Sequence, residues 1–349
     1  MTLQPVRFGL VGFGAWGQLH AQSIDQYADA QLVAIAVHSQ RSADAAQEKF
    51  PNATIYRDYR ELCQREDIQI VDIVTPSDTH RDIALAAIQA GKHLLLEKPM
   101  AISIDDAQAI VQAAKQRGVQ LAVGHEFRLS SQWGRIKSII DQGTIGQPRY
   151  VLVELSRKPY RLGSSGWRYD SGRVGSWVLE EPIHFFDLAR WYLSGSGQCV
   201  EVVAEGNSID SNRPKLLDNF SAIMRFADGA YAVVSQTLGA FEHHHTVKVT
   251  GTQGAIMAGW SGAMDRTLEP THYLKVFDGT EVKIVELASQ SGEVFELRAE
   301  IQQCVEMVRG GHAPIASGVD GLWSVTLCML AEQSIRERRS IQIAQWNPR

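Results

Sequence analysis

The chain has 349 residues, of which 44% are hydrophobic and 21% charged, and its 34 Lys and Arg against 39 Asp and Glu give a formal net charge of −5. This length predicts about two domains, each large enough to bury a core without cross-links. The composition excludes a globally disordered chain. The acidic balance argues against a dedicated nucleic-acid-binding protein, which needs a basic face for phosphates.

The cysteines and the apolar runs argue against secreted and membrane classes. Cys63, Cys199, Cys304 and Cys328 form no C-x-x-C pair and indicate reduced, structural thiols rather than a disulfide scaffold. No apolar stretch approaches the roughly 20 residues of a membrane span. The first residues lack the pattern of a signal peptide. We therefore expect a cytoplasmic protein with no membrane partner.

Short apolar runs alternate with helical patterns over residues 1–126. The runs are nearly continuous, as in strands buried on both faces, and they are Val6–Val11, Leu32–Val37, Ile70–Val74, His93–Leu96 and Val119–Val123. Helical periodicity covers Asp78–Ala90 and Ser103–Arg117, and each helix is followed by a glycine at the position of a C-terminal stop. The alternation predicts βαβ units and a parallel sheet, that is, a Rossmann-type α/β domain.

The order of predicted elements changes over residues 127–349, where strands follow one another without helices between them. The predicted strands are Arg149–Leu155, Val200–Glu205, Asn219–Phe226, Tyr231–Leu238 and His244–Thr250. The predicted helices are Ser131–Gln142, Val294–Arg309 and Val319–Arg338. Successive strands favour an antiparallel sheet, so the second domain is predicted to be of the α+β class.

A glycine-rich turn follows the first predicted strand and opens a helix. Its six residues are Gly12, Phe13, Gly14, Ala15, Trp16 and Gly17. The first glycine permits the tight turn, the second lets a pyrophosphate approach the backbone, and the third allows close helix–strand packing. The pyrophosphate lies at the helix N-terminus, where unpaired N–H groups favour negative charge. This context predicts dinucleotide binding.

The end of the second predicted strand selects between NAD and NADP. A carboxylate is expected there for the NAD ribose, but the sequence has His38, Ser39 and Arg41 instead. Arg41 is a candidate partner for the 2′-phosphate of NADP, with Ser39 as a hydrogen-bond partner. A solvated Arg41 in the first turn of the next helix is the alternative. We expect NAD or NADP, with a slight preference for NADP.

Two further segments follow buried strands at the edge where such sheets bind ligands. Thr75, Pro76 and His80 belong to the run TPSDTH, and Glu97 and Lys98 belong to EKP. A lysine at a strand end can hydrogen-bond a substrate hydroxyl and assist its deprotonation.

The motifs VGFGAWG, TPSDTH and LLLEKP, in this order and spacing, resemble the glucose–fructose oxidoreductase / inositol dehydrogenase / rhizopine catabolism (Gfo/Idh/MocA) family over about residues 6–340. The resemblance implies a Rossmann domain followed by a C-terminal domain with a large, mostly antiparallel open sheet. It also implies oxidation or reduction of sugars, sugar derivatives or cyclitols with NAD(P), and a homodimer or homotetramer formed through that sheet. Within the family motif, Lys98 matches the lysine beside the reacting carbinol.

The resemblance extends to a second motif, in which the family has D-x-x-x-H-x-x-D. His184 matches the histidine, Glu180 stands at the first aspartate position and Asp187 at the last. The sequence departs from the pattern in three ways, namely a loosened glycine cluster, Glu180 in place of aspartate and Pro182 in place of the usual glycine. Lys98, His184 and Glu180 are therefore the expected catalytic residues. If the segment from residue 181 is helical, Glu180 and His184 share a face, and both glutamates also suit a helix N-terminus as dipole-favoured charges. Asp187 is expected either to contact substrate or to have a structural role, in which it holds the helix or orients His184.

The remaining candidate substrate residues are His125, Arg128, Trp167, Arg168 and Glu181. Trp167 could stack on a sugar ring, although a solvated loop is an equal alternative. The run His243–His245 resembles a metal cluster, but neighbouring residues on a strand point to opposite faces, so we expect no metal.

These residues predict an NAD(P)-dependent sugar or polyol dehydrogenase. Two alternatives remain open at this point. One is an NAD-dependent glycoside hydrolase of the same fold, acting by transient C3 oxidation and elimination. The other is a cofactor-binding regulator without turnover, against which the presence of Lys98 and His184 argues.

Overall fold

The computed structural model describes residues 4–343, which form two compact units. The first unit comprises the described residues up to 126 together with 296–322, and the second comprises 127–295 and 323–343. The sequence assigned residues 296–322 to the second domain, and here the structure differs. The cause is burial, because Ile301, Cys304, Val305 and Met307 are part of the first unit's core.

The first unit contains a six-stranded parallel sheet, as the alternating pattern predicted. Its strands run in the order β3-β2-β1-β4-β5-β6. They are β1 (Val6–Val11), β2 (Ala30–Ala36), β3 (Thr54–Tyr56), β4 (Ile70–Ile73), β5 (His93–Leu96) and β6 (Leu121–Val123). This order confirms a Rossmann-like sheet, and its carboxyl edge carries the loops described below.

Helices connect these strands. They are α1 (Ala15–Gln26), α2 (Gln40–Lys49), α3 (Tyr59–Cys63), α4 (His80–Gln89) and α5 (Ile104–Arg117). Local sequence sets their ends. The Ser103 side chain accepts the backbone N–H of Asp106 and caps α5, and Gly118 ends it in the left-handed conformation at φ 71°.

The second unit contains a nine-stranded sheet in the order β14-β13-β12-β11-β7-β10-β9-β8-β15. Its strands are β7 (Pro148–Arg157), β8 (Cys199–Asn207), β9 (Asn219–Phe226), β10 (Tyr231–Thr237), β11 (His243–Gly251), β12 (Ala255–Gly262), β13 (Thr271–Phe277), β14 (Val282–Ile284) and β15 (Ile341–Gln342). Within the described residues, β7 and β10 run parallel and every other neighbouring pair is antiparallel. The predicted large, mostly antiparallel sheet is confirmed.

The remaining helices are α6 (Trp133–Asp141), α7 (Ser171–Val174), α8 (Pro182–Tyr192), α9 (Glu293–Gly310) and α10 (Gly318–Glu337). Helix α8 packs against β7 and β10 on one face of the sheet, and nearly all of its residues are buried. This packing fixes the residues at the start of α8, where the expected catalytic side chains lie.

Candidate functional site

The glycine-rich turn between β1 and α1 has the shape that a dinucleotide requires. Gly12 has φ +103°, and a Cβ there would lie 2.2 Å from the Val74 carbonyl oxygen. A Cβ on Gly17 would lie 2.3 Å from the Gly12 carbonyl oxygen, whereas a Cβ on Gly14 meets nothing within 4 Å. No side chain caps α1 at Gly14. An open backbone surface at an uncapped helix N-terminus fits a pyrophosphate, so the residues present fit NAD(P).

Two side chains of this turn contact residues elsewhere in the first unit. Phe13 is buried in the core and packs edge-on against Phe50. The Trp16 indole Nε1 donates to Glu97 Oε1 at 2.8 Å.

At the end of β2, the structure brings arginines close to the expected ribose site. Ser39 caps α2 by accepting the Ser42 N–H at 3.1 Å, and Arg41 is exposed in the first turn. Arg57, which the sequence analysis missed, donates to the His38 carbonyl and lies 2.8 Å from Gln40 Oε1. Its sequence signal was its position directly after β3, the strand next to β2.

His80 links the two loops that follow β4 and β5. Its Nδ1 lies 2.8 Å from the Pro99 carbonyl oxygen and its Nε2 lies 2.8 Å from the Thr75 carbonyl oxygen. The ring is buried, and burial lowers the pKa of His80 despite these carbonyls. The ring therefore contacts both the TPSDTH and the EKP loop, and as a neutral imidazole it donates to one of the two carbonyl oxygens.

Glu97 belongs to a buried charge cluster beneath Lys98. The His20 ring lies between two carboxylates, with Nδ1 2.9 Å from Asp72 Oδ2 and Nε2 3.2 Å from Glu97 Oε1. Glu97 Oε2 accepts the backbone N–H of Lys98 at 3.1 Å. Burial opposes the charge on His20, but the two carboxylates outweigh burial and hold its pKa well above the usual value. Burial is likewise outweighed for Glu97, whose pKa falls to about 2 beside His20.

Glu300 of α9 completes this cluster. Its oxygen, His20 and Glu97 offer atoms within 4.8 Å of one another, and Glu300 is buried. Burial and the charge of Glu97 raise the pKa of Glu300 to about 8, so this carboxyl is protonated at neutral pH. The EKP loop is thus anchored by one imidazolium and three acidic groups, of which the sequence analysis identified only Glu97.

In the second unit, the motif residues lie around the start of α8. The helix begins at Pro182, so Glu180 lies in the preceding turn and does not share a helix face with His184, contrary to the expectation. The Arg168 Nε donates to Glu180 Oε1, and the His184 ring stacks on Phe127 with centroids 4.6 Å apart.

Glu181 is not a capping charge, because α8 has no side-chain cap and the carboxylate turns into the protein. Its Oε2 accepts from Arg157, while its Oε1 lies 2.7 Å from His243 Nε2 and 3.1 Å from His245 Nε2. Burial opposes its ionisation, but His243 and Arg157 outweigh burial and hold its pKa well below the usual value. Burial lowers the pKa of His245 to about 4.

Arg128 and Asp187 are brought together as a buried bidentate pair. Arg128 Nε and Nη2 donate to the two Asp187 oxygens, each at 2.7 Å, and the Ser324 hydroxyl donates to the same carboxylate at 3.3 Å. The pairing favours the structural alternative for Asp187 over substrate contact.

The loop that carries Trp167 packs on a small aromatic cluster. Trp167 lies against the group formed by Tyr160, Val174, Trp177, Leu216 and Leu238. The Arg168 guanidinium lies 5.1 Å above the Trp167 ring. In the first unit, His125 is buried directly after β6.

Two family models match this chain. The model of an oxidoreductase family with an NAD-binding Rossmann fold matches residues 6–125, and the Gfo/Idh/MocA C-terminal domain matches residues 133–257. The chain belongs to the Gfo/Idh/MocA oxidoreductase family. The resemblance inferred from VGFGAWG and EKP is therefore confirmed, and an NAD-binding Rossmann domain with it.

Full-length relatives support this membership. Myo-inositol 2-dehydrogenase of Thermotoga maritima is 28% identical, and the match covers 97% of this chain and 99% of that one. The scyllo-inositol 2-dehydrogenase (NAD(+)) of Bacillus subtilis is 26% identical, with 97% and 96% covered. Levoglucosan dehydrogenase, solved with NADH and L-sorbose, shares the fold at a TM-score of 0.84 and 22% identity, covering 98% and 99% of the two chains.

Within residues 4–343, this family member has no helix that is both long and apolar enough to cross a membrane.

Proposed function

We propose that this oxidoreductase is an NAD(P)-dependent dehydrogenase that acts on a secondary hydroxyl of a sugar, sugar derivative or cyclitol. One observation carries the proposal. Lys98 follows β5 at the carboxyl edge of the sheet whose first turn fits the dinucleotide, and its backbone is anchored by the buried Glu97. The inositol and levoglucosan dehydrogenases among the relatives support a polyol or sugar as substrate.

The cofactor and each candidate catalytic residue have separate roles in the proposed reaction. Bound NAD(P) supplies the hydride acceptor or donor. Lys98 Nζ hydrogen-bonds the reacting hydroxyl and takes part in moving its proton, and His184 acts as the second proton-handling group. Glu180 tunes or relays that proton, and its ion pair with Arg168 sets the position of its carboxylate.

A substrate panel tests the reaction class. Polyols, inositols, aldoses and anhydrosugars are assayed at 340 nm with NAD and with NADP. We expect NAD(P)H to form with at least one of them. Tight cofactor binding without turnover across the whole panel would overturn the proposal.

The hydrolase alternative is not favoured, because the relatives reported above are dehydrogenases. The same panel separates the two reactions if aryl glycosides are included. Release of a free sugar without net NADH formation would replace the dehydrogenase by the hydrolase.

We propose a slight preference for NADP on the basis of the positive charge at the end of β2. Arg41 is exposed in the first turn of α2, and Arg57 lies beside His38. Arg41→Ala is expected to weaken NADP more than NAD by roughly 10- to 150-fold, the equivalent of a charge-assisted bond of about 1.5–3 kcal/mol. Exposed Arg60 provides the control, since Arg60→Ala should weaken neither cofactor. Equal losses of NAD and NADP affinity in Arg41→Ala would reject this role.

We also propose a homodimer or homotetramer formed through the sheet of the second unit. Large side chains on that sheet are exposed, namely Tyr231, Met257, Tyr273 and Phe277. Light scattering should give two or four chains for the wild type, and Met257→Lys together with Tyr273→Lys should reduce that number. A monomeric wild type would contradict the proposal. The cytoplasmic location stays a prediction.

A further inference from the structure

The strand β11 places two histidines on one face, opposite a carboxylate. His243 and His245 are two residues apart, so their side chains point to the same side, whereas His244 points to the other side. Both imidazoles are buried, and so is Glu181, which lies just before α8. The alternation that separates neighbouring histidines thus brings the outer two together.

Three lone-pair-bearing atoms converge here within contact of one another. His243 Nε2 lies 2.7 Å from His245 Nε2 and 2.7 Å from Glu181 Oε1, and His245 Nε2 lies 3.1 Å from the same oxygen. A neutral imidazole carries one proton, and an ionised carboxylate carries none. If both Nε2 atoms were protonated, two N–H donors would face each other across 2.7 Å. If only one were protonated, a bare nitrogen would face the anionic oxygen. No tautomer satisfies all three contacts.

We propose that Glu181, His243 and His245 bind one divalent first-row transition-metal ion, for which Zn²⁺ is the representative probe. One cation accepts all three lone pairs and removes the conflict. Two histidines and one carboxylate form a recognised ligand set for such ions.

The spacing of the three atoms favours a facial arrangement. Ligand distances of about 2.0–2.2 Å place neighbouring octahedral ligands about 2.8–3.1 Å apart and tetrahedral ligands about 3.3–3.6 Å apart. The observed separations of 2.7, 2.7 and 3.1 Å are nearer the octahedral values.

The surroundings suit a metal site with one open position. His243 and His245 line a small cavity of about 10 Å³ together with Trp260 and Asp265. This volume is about what one water needs, so a fourth coordination position faces space for one water or one polar ligand atom. Arg157 binds Glu181 Oε2, which leaves Oε1 directed at the imidazoles. A hydrogen bond to the second oxygen of a ligating carboxylate is a common way to orient it. Arg157 also lies 3.8 Å from Asp265, so its positive charge is offset.

The other histidine–carboxylate cluster lacks this property. His20 has a carboxylate beside each ring nitrogen, so a proton on both nitrogens satisfies it and leaves no lone pair for an ion. The proposal is confined to Glu181, His243 and His245.

Metal binding is measured on the untagged chain after treatment with a chelator, without substrate or dinucleotide, so that the result is independent of the proposed reaction. Calorimetry with Zn²⁺ should give one site per chain. At about 100-fold excess over Kd, the Tm should rise by about 5 °C or more. A Co²⁺-loaded chain should show d–d bands shifted from those of aqueous Co²⁺, because imidazole nitrogens replace water in its coordination sphere.

Three variants localise the site. His243→Gln and His245→Gln should each weaken Zn²⁺ binding by at least about 100-fold, since loss of an outer-sphere partner alone typically costs 10- to 100-fold. His244→Gln is the matched control on the same strand, where His244 Nδ1 pairs with the Ser261 hydroxyl, and it should bind Zn²⁺ as the wild type does.

Two results would overturn the proposal. One is a wild-type chain that shows neither one-site binding nor a rise in Tm with Zn²⁺. This measurement needs no variant, so a misfolded variant cannot obscure it. The other is Zn²⁺ binding that survives both His243→Gln and His245→Gln, which would place the ion elsewhere.

Discussion

Each of the two units buries a cluster of histidine and carboxylate side chains. Carboxylates outnumber the histidine in the first cluster, whereas histidines outnumber the carboxylate in the second. In the first unit, one imidazole lies between Asp72 and Glu97. In the second unit, His243 and His245 share a single oxygen of Glu181. The pKa of His20 accordingly lies well above its usual value, whereas that of His245 falls to about 4.

The balance of anions and cations around each ring, together with burial, decides the charge of these two histidines. Burial opposes the charged form of both rings. Two carboxylates outweigh burial at His20. At His245, burial outweighs the one carboxylate that it shares with His243, and the charges of His243 and Arg157 lower the pKa further. The first cluster is therefore an ion pair that anchors the EKP loop. In the second cluster, the two imidazole nitrogens and the carboxylate oxygen direct lone pairs toward one another.

Removing the imidazole of the first cluster should have the largest effect. His20→Leu leaves Asp72 and Glu97 buried without a cation, and breaking a buried pair in this way costs about 3–5 kcal/mol. Chemical unfolding should show this loss of stability. Exposed His38 is the matched control, and His38→Leu should change stability by less than about 0.5 kcal/mol. A loss below 1 kcal/mol for His20→Leu would mean that the cluster is not charged as described.

The pH dependence of stability tests the protonated carboxyl beside that ion pair. Glu300 has a folded pKa of about 8 against 4.5 ordinarily, so its contribution is full below pH 4.5 and is lost as pH rises through 8. Glu300→Gln keeps the neutral shape without the titration. The loss of unfolding free energy between pH 5 and pH 9 should shrink in this variant by on the order of 3 kcal/mol.

The matched control lies on the same helix. Glu306 is exposed on α9, so Glu306→Gln should lose as much stability between pH 5 and pH 9 as the wild type. Identical pH profiles for Glu300→Gln and the wild type would show that Glu300 is ionised at neutral pH.

A smaller effect is expected beside the second cluster. Glu180→Gln keeps an oxygen for Arg168 but removes the charge. If Glu180 tunes the catalytic proton, kcat should fall by about 10-fold and the pH profile of kcat should shift. The control Glu205→Gln changes an exposed side chain of β8 and should leave both unchanged. An unaltered rate with a stability loss of about 0.3–1 kcal/mol would reduce Glu180 to a structural charge.

The features that were predicted correctly from the sequence are those that a few neighbouring residues determine. The glycine turn and the glycine that ends α5 follow from short segments, and the structure contains both. The strands β12, β13 and β14 were missed. Gly259 and Gly262 interrupt the first, and the other two expose most of their residues, so the apolar pattern is weak.

The same distinction between local motifs and distant contacts applies to the candidate site. Lys98 and His184 lie in recognisable motifs, but the partners of Glu97 and Glu181 come from distant segments. Glu300 reaches the first cluster across 203 residues and His243 reaches Glu181 across 62. Such contacts depend on strand register and helix packing, which no local pattern encodes.

The most direct test of the proposed function is the turnover of Lys98→Met with a substrate identified in the panel. A positioned proton-handling group contributes on the order of 10²–10⁴-fold, so kcat should fall at least about 100-fold while NAD(P) still binds. His184→Ala should also lose rate, and the double variant should lose less than the product of the two effects. Exposed Lys115 on α5 supplies the control, since Lys115→Met should keep full activity. A Lys98→Met enzyme with wild-type kcat would contradict the catalytic assignment.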